Sequence, residues 1–167
     1  MGATVDAWTV ADQKHWPCNM AAVALLPPKD LLLQACRGLE PGEHLVLRCA
    51  CRLAELHELR LTVTATADID RQRAQLVHEI DRWVAAELPA APGGARLHTE
   101  TVGAVVDRLA QFSALAYLAL TATPAWLADD AWRRLAELAN AYADLATEVS
   151  AGRCRLPKLN GHHEYEY

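Results

Sequence analysis

Asp107 and Arg108 lie side by side in an almost wholly apolar stretch, RLHTETVGAVVDRLAQFSALAYLALTA, residues 96 to 122. Gln111 and Ser113 are further polar residues within its helical part. Arg73 falls inside a second apolar stripe, between Ile69 and Leu76. A buried charge without a partner is costly, so such charges require partners. Glu58, Asp81, Glu100 and the charges themselves are the candidates. One reading is a structural ion-pair network. The other is a polar pocket in an apolar bundle, the common form of a small-molecule site. In that reading Arg73 and Arg108 hold an anionic group, with Glu58 and Asp81 beside them, since the guanidinium fork suits a carboxylate or phosphate. His57 and Glu100 move protons and Asp107 orients a partner. The chemistry is acid–base: an isomerisation, an elimination or a Pictet–Spengler-type ring closure. It calls for no cofactor and no metal. His57 also has a structural reading, as a core histidine bonded to a neighbour.

Two other patterns touch metals. Glu55 and Glu58 are spaced i, i+3, and His78 and Asp81 repeat the spacing one helix later. Paired acids of this kind are similar to the Mg²⁺ site of the all-α nucleotide pyrophosphohydrolases. Here His78 stands where that pattern has an acid, and Glu55 can pair with Arg52 on an exposed face. Cys49, Cys51 and nearby His44 form the second pattern. Residues two apart on a helix face different ways. Five cysteines is an odd number, and free, mostly buried thiols are the expectation.

The elements that must position these residues are helical. PPKDLLLQACRG (27–38) predicts a short helix with Pro28 near its start and Gly38 past its end. Apolar spacing predicts long helices over 41–62, 66–89, 101–122 and 128–151, with Thr66 capping the second and Gly152 closing the last. The fourth helix in chain order is apolar all round, so it is expected at the centre. Residues 89–96, PAAPGGAR, read as a loop. No alternating strand pattern is visible. The expected fold is all-α: an antiparallel bundle of four main helices plus a short N-terminal one. Residues 1–27 form an arm, 28–152 the bundle and 153–167 a tail that is ordered only where it docks. Trp8 and Trp16 are placed to pin the arm.

A chain of 167 residues, 52% hydrophobic and 22% charged, is a globular composition that fits one domain. A net charge of −5 without a basic stripe argues against a nucleic-acid partner. Asp107 and Arg108 interrupt the best membrane-spanning candidate, and the N-terminus has no secretory pattern. The expectation is a cytoplasmic protein with a small-molecule substrate and no membrane partner. A homodimer is compatible with five Trp and four Tyr. The Ala-, Leu- and Arg-rich composition is that of a high-GC bacterium, where such small proteins serve specialised metabolism.

HTETVGAVVDRLAQFSALAYLAL resembles the signature of a bacterial family of unknown function, number 4254. Thr99, Glu100, Thr101, Gly103, Asp107, Arg108 and Leu109 match its Thr-Glu-Thr, glycine and Asp-Arg-Leu elements in order. DIDRQRAQLVHEID resembles a second motif through Gln72, Arg73 and Asp81. ELHELR resembles a third through His57, with Leu56 in place of a tryptophan and Glu58 left of an acidic pair. The resemblance spans roughly 44–152 and implies an all-α domain without supplying an activity. Three functions therefore stand as expectations: a small acid–base enzyme, a non-catalytic dimerising or scaffold protein, and a Mg²⁺-dependent nucleotide hydrolase. For the last, Glu55, Glu58 and Asp81 should converge on one cavity. The opening charges are expected to form one buried cluster, Asp107 and Arg108 with Arg73 and Glu100.

Overall fold

The computed structural model describes residues 25–122 and 124–158. Trp8, Trp16, Cys18, His162 and His163 lie outside the described residues, as does nearly all of the expected arm and much of the tail. The architecture is all-α: α1 (Lys29–Cys36), α2 (Leu45–Arg60), α3 (Ala67–Glu87), α4 (Val102–Ala122) and α5 (Ala125–Ser150). One strand pair accompanies them, β1 (Arg96–Leu97) and β2 (Cys154–Arg155), which run parallel with Arg96 opposite Cys154. The sequence predicts no strand: Arg96 falls at the end of the expected loop and β2 in the expected tail. Segments of two residues carry no readable alternation, and a non-local partner supplies the pairing.

Each helix follows from local chemistry. Pro28 precedes the first turn of α1, where its missing N–H is no loss. Leu32, Ala35 and Cys36, at i, i+3 and i+4, are its buried face. Gly38 follows with φ +75°, a value that disfavours any residue with a Cβ. His44 caps α2, its Nδ1 accepting the Val46 N–H at 3.2 Å. Its Nε2 faces the Leu25 carbonyl at 3.2 Å. His44 is therefore a cap, and the thiols Cys36, Cys49, Cys51 and Cys154 are free. Thr66 occupies the N-cap position of α3, but its side chain makes no capping bond. The hydroxyl is instead bonded to Asp70. Gly152 ends α5 with φ +69°, and the Arg153 N–H returns to the Glu148 carbonyl at 2.9 Å.

α4 is central, packing against α1, α2, α3 and α5. The short α1 is a full member of the core, touching α2, α4 and α5. Val46, Ala50 and Leu53 of α2, Ile80 and Val84 of α3, and Val102, Val106 and Leu109 of α4 meet Leu135, Tyr142 and Val149 of α5. Leu26 is buried as well, and Tyr142 Oη donates to the Pro27 carbonyl at 2.8 Å, so the chain just before α1 is fastened to α5. Val102–Thr121 is long and apolar enough to cross a membrane by length and composition, yet 56% of it is buried inside the fold. That is the pattern of a core helix.

Candidate functional site

α3 and α4 meet closely enough that Gly103 has no room for a side chain. A Cβ there would press on the Val77 carbonyl and stand 2.8 Å from Asp81 Oδ1. The approach lets Asp81 accept the Gly103 N–H at 2.7 Å. Thr101 caps the same helix from within, its Oγ1 accepting the Ala104 N–H at 3.2 Å, and its side chain is also bonded to Asp81. Asp81 thus satisfies a free donor at the start of α4 from outside, at the end of the helix dipole that favours negative charge. It is 6% exposed. Burial, the largest influence, lifts its carboxyl above the ordinary range despite the Thr101, Gly103 and His78 interactions that pull it down.

One turn further along α4, Asp107 takes three bonds. His57 Nε2 donates to Oδ1 at 2.9 Å, Arg73 Nε to Oδ1 at 3.1 Å and Arg73 Nη2 to Oδ2 at 2.6 Å. The Arg73 fork therefore grips the carboxylate in two places. Arg73 Nη1 donates to Asp70 Oδ1 at 2.9 Å, and Arg60 Nε reaches the same oxygen at 3.0 Å. His57 is 4% exposed. Burial would raise the Asp107 carboxyl, but the bonds from His57 and Arg73 outweigh it and hold it below the usual range. Asp81 and Asp107 line one groove of about 390 Å³ with Asp70, Arg73, Ala74, Val77 and His78.

The expected single cluster is two. Arg108 pairs with Glu100, and both are partly exposed. Among the described residues no hydrogen bond or ion pair joins them to Asp107 or Arg73. Consecutive residues on a helix point about 100° apart, so neighbours in sequence serve different partners. Glu58 is exposed and off the groove, and Glu55 pairs with Arg52 at 2.7 Å. Glu55, Glu58 and Asp81 do not converge on one cavity, and among the described residues no group of three His, Cys, Asp or Glu is placed to hold a metal. Asp70 is a groove acid that sequence reasoning missed, and His78 entered it only as the residue standing where the metal pattern has an acid. Asp70 lies three residues before Arg73 on the same face, which was the available signal. Gln111 is exposed, and Ser113 is buried within α4.

Residues 62–124 match the model of a family described as Protein of unknown function (DUF4254). The chain resembles DUF4254 over that segment. No curated protein and no solved structure matches the chain. The DUF4254 match covers α3, β1 and α4, the two helices that build the groove and every acid on it. It is narrower than the span the motifs suggested: α2, with His57 and Glu58, lies outside it, as do α1 and α5.

Proposed function

We propose that this chain is a small cytoplasmic enzyme that performs acid–base chemistry on a small organic molecule bound in the α3–α4 groove. One observation carries the reading. Asp81 and Asp107 line the same groove, and their surroundings push the two carboxyls in opposite directions, one up and one down. Paired carboxyls driven apart in this way divide the roles of acid and base. Asp81 gives a proton to the ligand, and ionised Asp107 takes one or steadies a developing positive charge. His57 and Arg73 are positioning residues behind Asp107. Isomerisation, elimination and ring closure all fit that division.

The ligand is neutral or positively charged. Arg73 is engaged by Asp107 and Asp70, and Arg108 by Glu100, so neither arginine is left to hold an anion. Three acidic side chains and one arginine line the groove. We infer an antiparallel course for successive long helices, which places the groups as described. It is supported by contacts that step in opposite directions, Asp81 with Gly103 and Arg73 with Asp107, and by the short connection between α4 and α5.

The test is proton exchange in heavy water. A panel of small amines and carbonyl compounds is incubated with the protein, and deuterium incorporation is read by NMR. Exchange that requires the wild type and is lost in both Asp81→Asn and Asp107→Asn supports the reading. Exchange equal in wild type and both variants overturns it. A second reading, a non-catalytic protein that pairs with its own copy, is favoured by exposed Leu115, Leu118 and Trp126 on and beside the α4–α5 turn. Light scattering would support it by showing a dimer that a charged residue at Leu118 dissociates.

A further inference from the structure

A second cavity, of about 450 Å³, also has Asp81 in its lining. It lies between α3, α5 and the segments around β2. Its walls are aliphatic: Val84 and Leu88 of α3, Val149 of α5, and Leu156 and Pro157 after β2. Cavities of this size with apolar walls and few polar groups are the usual form of a ligand site.

The chemistry of the floor selects the ligand. Asp81 is buried, and its described partners are the Gly103 N–H, the Thr101 side chain and the field of His78. Among the described residues no arginine or lysine pairs with it. Arg155 and Lys158 stand on the lining but are exposed, and Arg155 Nε is spent on the Ala95 carbonyl at 3.0 Å. Buried carboxylates are ordinarily paired with a cation. The described residues supply a hydrogen-bonded cradle and an apolar chamber but no paired cation.

We propose that this pocket binds an apolar amine, its nitrogen at Asp81 and its hydrocarbon body against Val84, Leu88, Val149 and Leu156. An amine arriving neutral takes the Asp81 proton, which leaves a carboxylate and an ammonium paired in the pocket. One arriving charged pairs with the ionised carboxylate, and any proton on Asp81 beforehand leaves to solvent. Either way the ion pair forms at a carboxyl that is itself buried, where its attraction is stronger than in bulk water. This binding site lies apart from the α3–α4 groove and shares only Asp81 with it, so the proposal stands without the activity proposed above.

The experiment is calorimetric titration of the full chain at pH 7 with three probes of one shape: cyclohexylmethylamine, cyclohexylmethanol and cyclohexanecarboxylate. The amine is expected to bind at least tenfold tighter than the alcohol, and the carboxylate weakest. Asp81→Asn should cost the amine tenfold or more and leave the alcohol unchanged. Ala85→Trp, at an exposed position on the lining, should abolish binding of both without disturbing the core. It serves as the test if Asp81→Asn does not fold. Equal binding of amine and carboxylate, binding that survives Ala85→Trp, or no binding at all overturns the proposal. Proton exchange by the wild type, read beside the titration, separates this result from the enzyme reading: amine binding without exchange supports this proposal and overturns only that reading, and exchange without amine binding overturns this proposal alone.

Discussion

Asp81 on α3 accepts the backbone N–H of Gly103 on α4 at 2.7 Å, so one helix is capped by a side chain of its neighbour. The bond forms because Gly103 has no Cβ. In Gly103→Ala a methyl group would press on the Val77 carbonyl, which is backbone and cannot rotate away, and on Asp81. Alanine's better helix propensity is worth about 1 kcal/mol. Overpacking costs about 1–3 kcal/mol and adds the loss of the cap. Gly103→Ala should therefore be destabilised by roughly 1–3 kcal/mol in urea unfolding. A variant as stable as the wild type would mean that the helices separate without cost.

The two charge pairs of α4 should differ sharply in weight. Asp107→Ala strips three bonds from His57 and Arg73 in a part-buried setting. Bonds to charged groups contribute about 1.5–3 kcal/mol each when buried. Discounted for partial exposure, the loss should be on the order of 2–4 kcal/mol. Arg108→Ala breaks only its half-exposed pair with Glu100, and should cost less than about 1 kcal/mol. Chemical denaturation of both variants checks the ranking, and the reverse order would place the structural charges at Arg108.

The helices were legible because apolar residues recur at helical spacing, and Arg73 and Asp107 stood out as polar residues on apolar faces. Their partners were not legible. The i, i+3 spacing offers Asp70 to Arg73, but Asp107 lies on another helix, and nothing local in the sequence tells that it turns to α3 while Arg108 turns to Glu100. That information lives in helix rotation, which tertiary packing sets. Asp81 illustrates the same limit. Its identity as an acid was plain, but its role as a cap for α4 depends on the close approach at Gly103.

Acid should act on the fold through Asp107. Its carboxyl is held below the usual range in the native state, so its contribution is present above the unfolded value near 3.8 and is lost as pH falls through the native one. Asp81 has the opposite sign. Its carboxyl is raised, so its favourable share is complete below 3.8 and disappears as pH climbs through the native value. Melting temperatures of the ligand-free protein across pH 2.5–8 should show an acid limb that flattens in Asp107→Asn. Asp81→Asn, whose amide oxygen still accepts the Gly103 N–H, should gain relative to the wild type as pH rises from 4 to 8. A widening loss over that range would reverse the sign assigned to Asp81.

Thiol labelling should follow burial. Burial pushes the Cys36 thiol up to about 12, with Cys51 nearby adding to it, and burial first, then Glu79, takes Cys49 to about 11. The thiolate is the reactive form, so both should resist alkylation at pH 8 in the native state. Cys51 is also raised, by burial and then Glu55, but is more exposed. Mass spectrometry after iodoacetamide treatment should find Cys51 modified well before Cys36 and Cys49, which react only on unfolding. Early labelling of Cys36 would show that the α1–α2 contact opens readily.

Tyr142 ties the chain before α1 to the middle of α5 through its bond to the Pro27 carbonyl at 2.8 Å. The hydroxyl is buried, and burial raises its pKa, so it stays a donor throughout the neutral range. In Tyr142→Phe the ring still fills the core, but the carbonyl is left without that donor. An orphaned buried acceptor costs about 1–3 kcal/mol. Much of that cost can be avoided locally if residues 25–27 lift from α5 and hydrate the carbonyl. The global loss in Tyr142→Phe should then be near 1 kcal/mol, and hydrogen exchange should quicken at Leu32, whose N–H is bonded to the Pro28 carbonyl in the first turn of α1. Faster exchange at Leu32 with α5 unchanged is the expected pattern. Uniform acceleration through α5 would show instead that the tyrosine holds the core helix rather than the entry to α1.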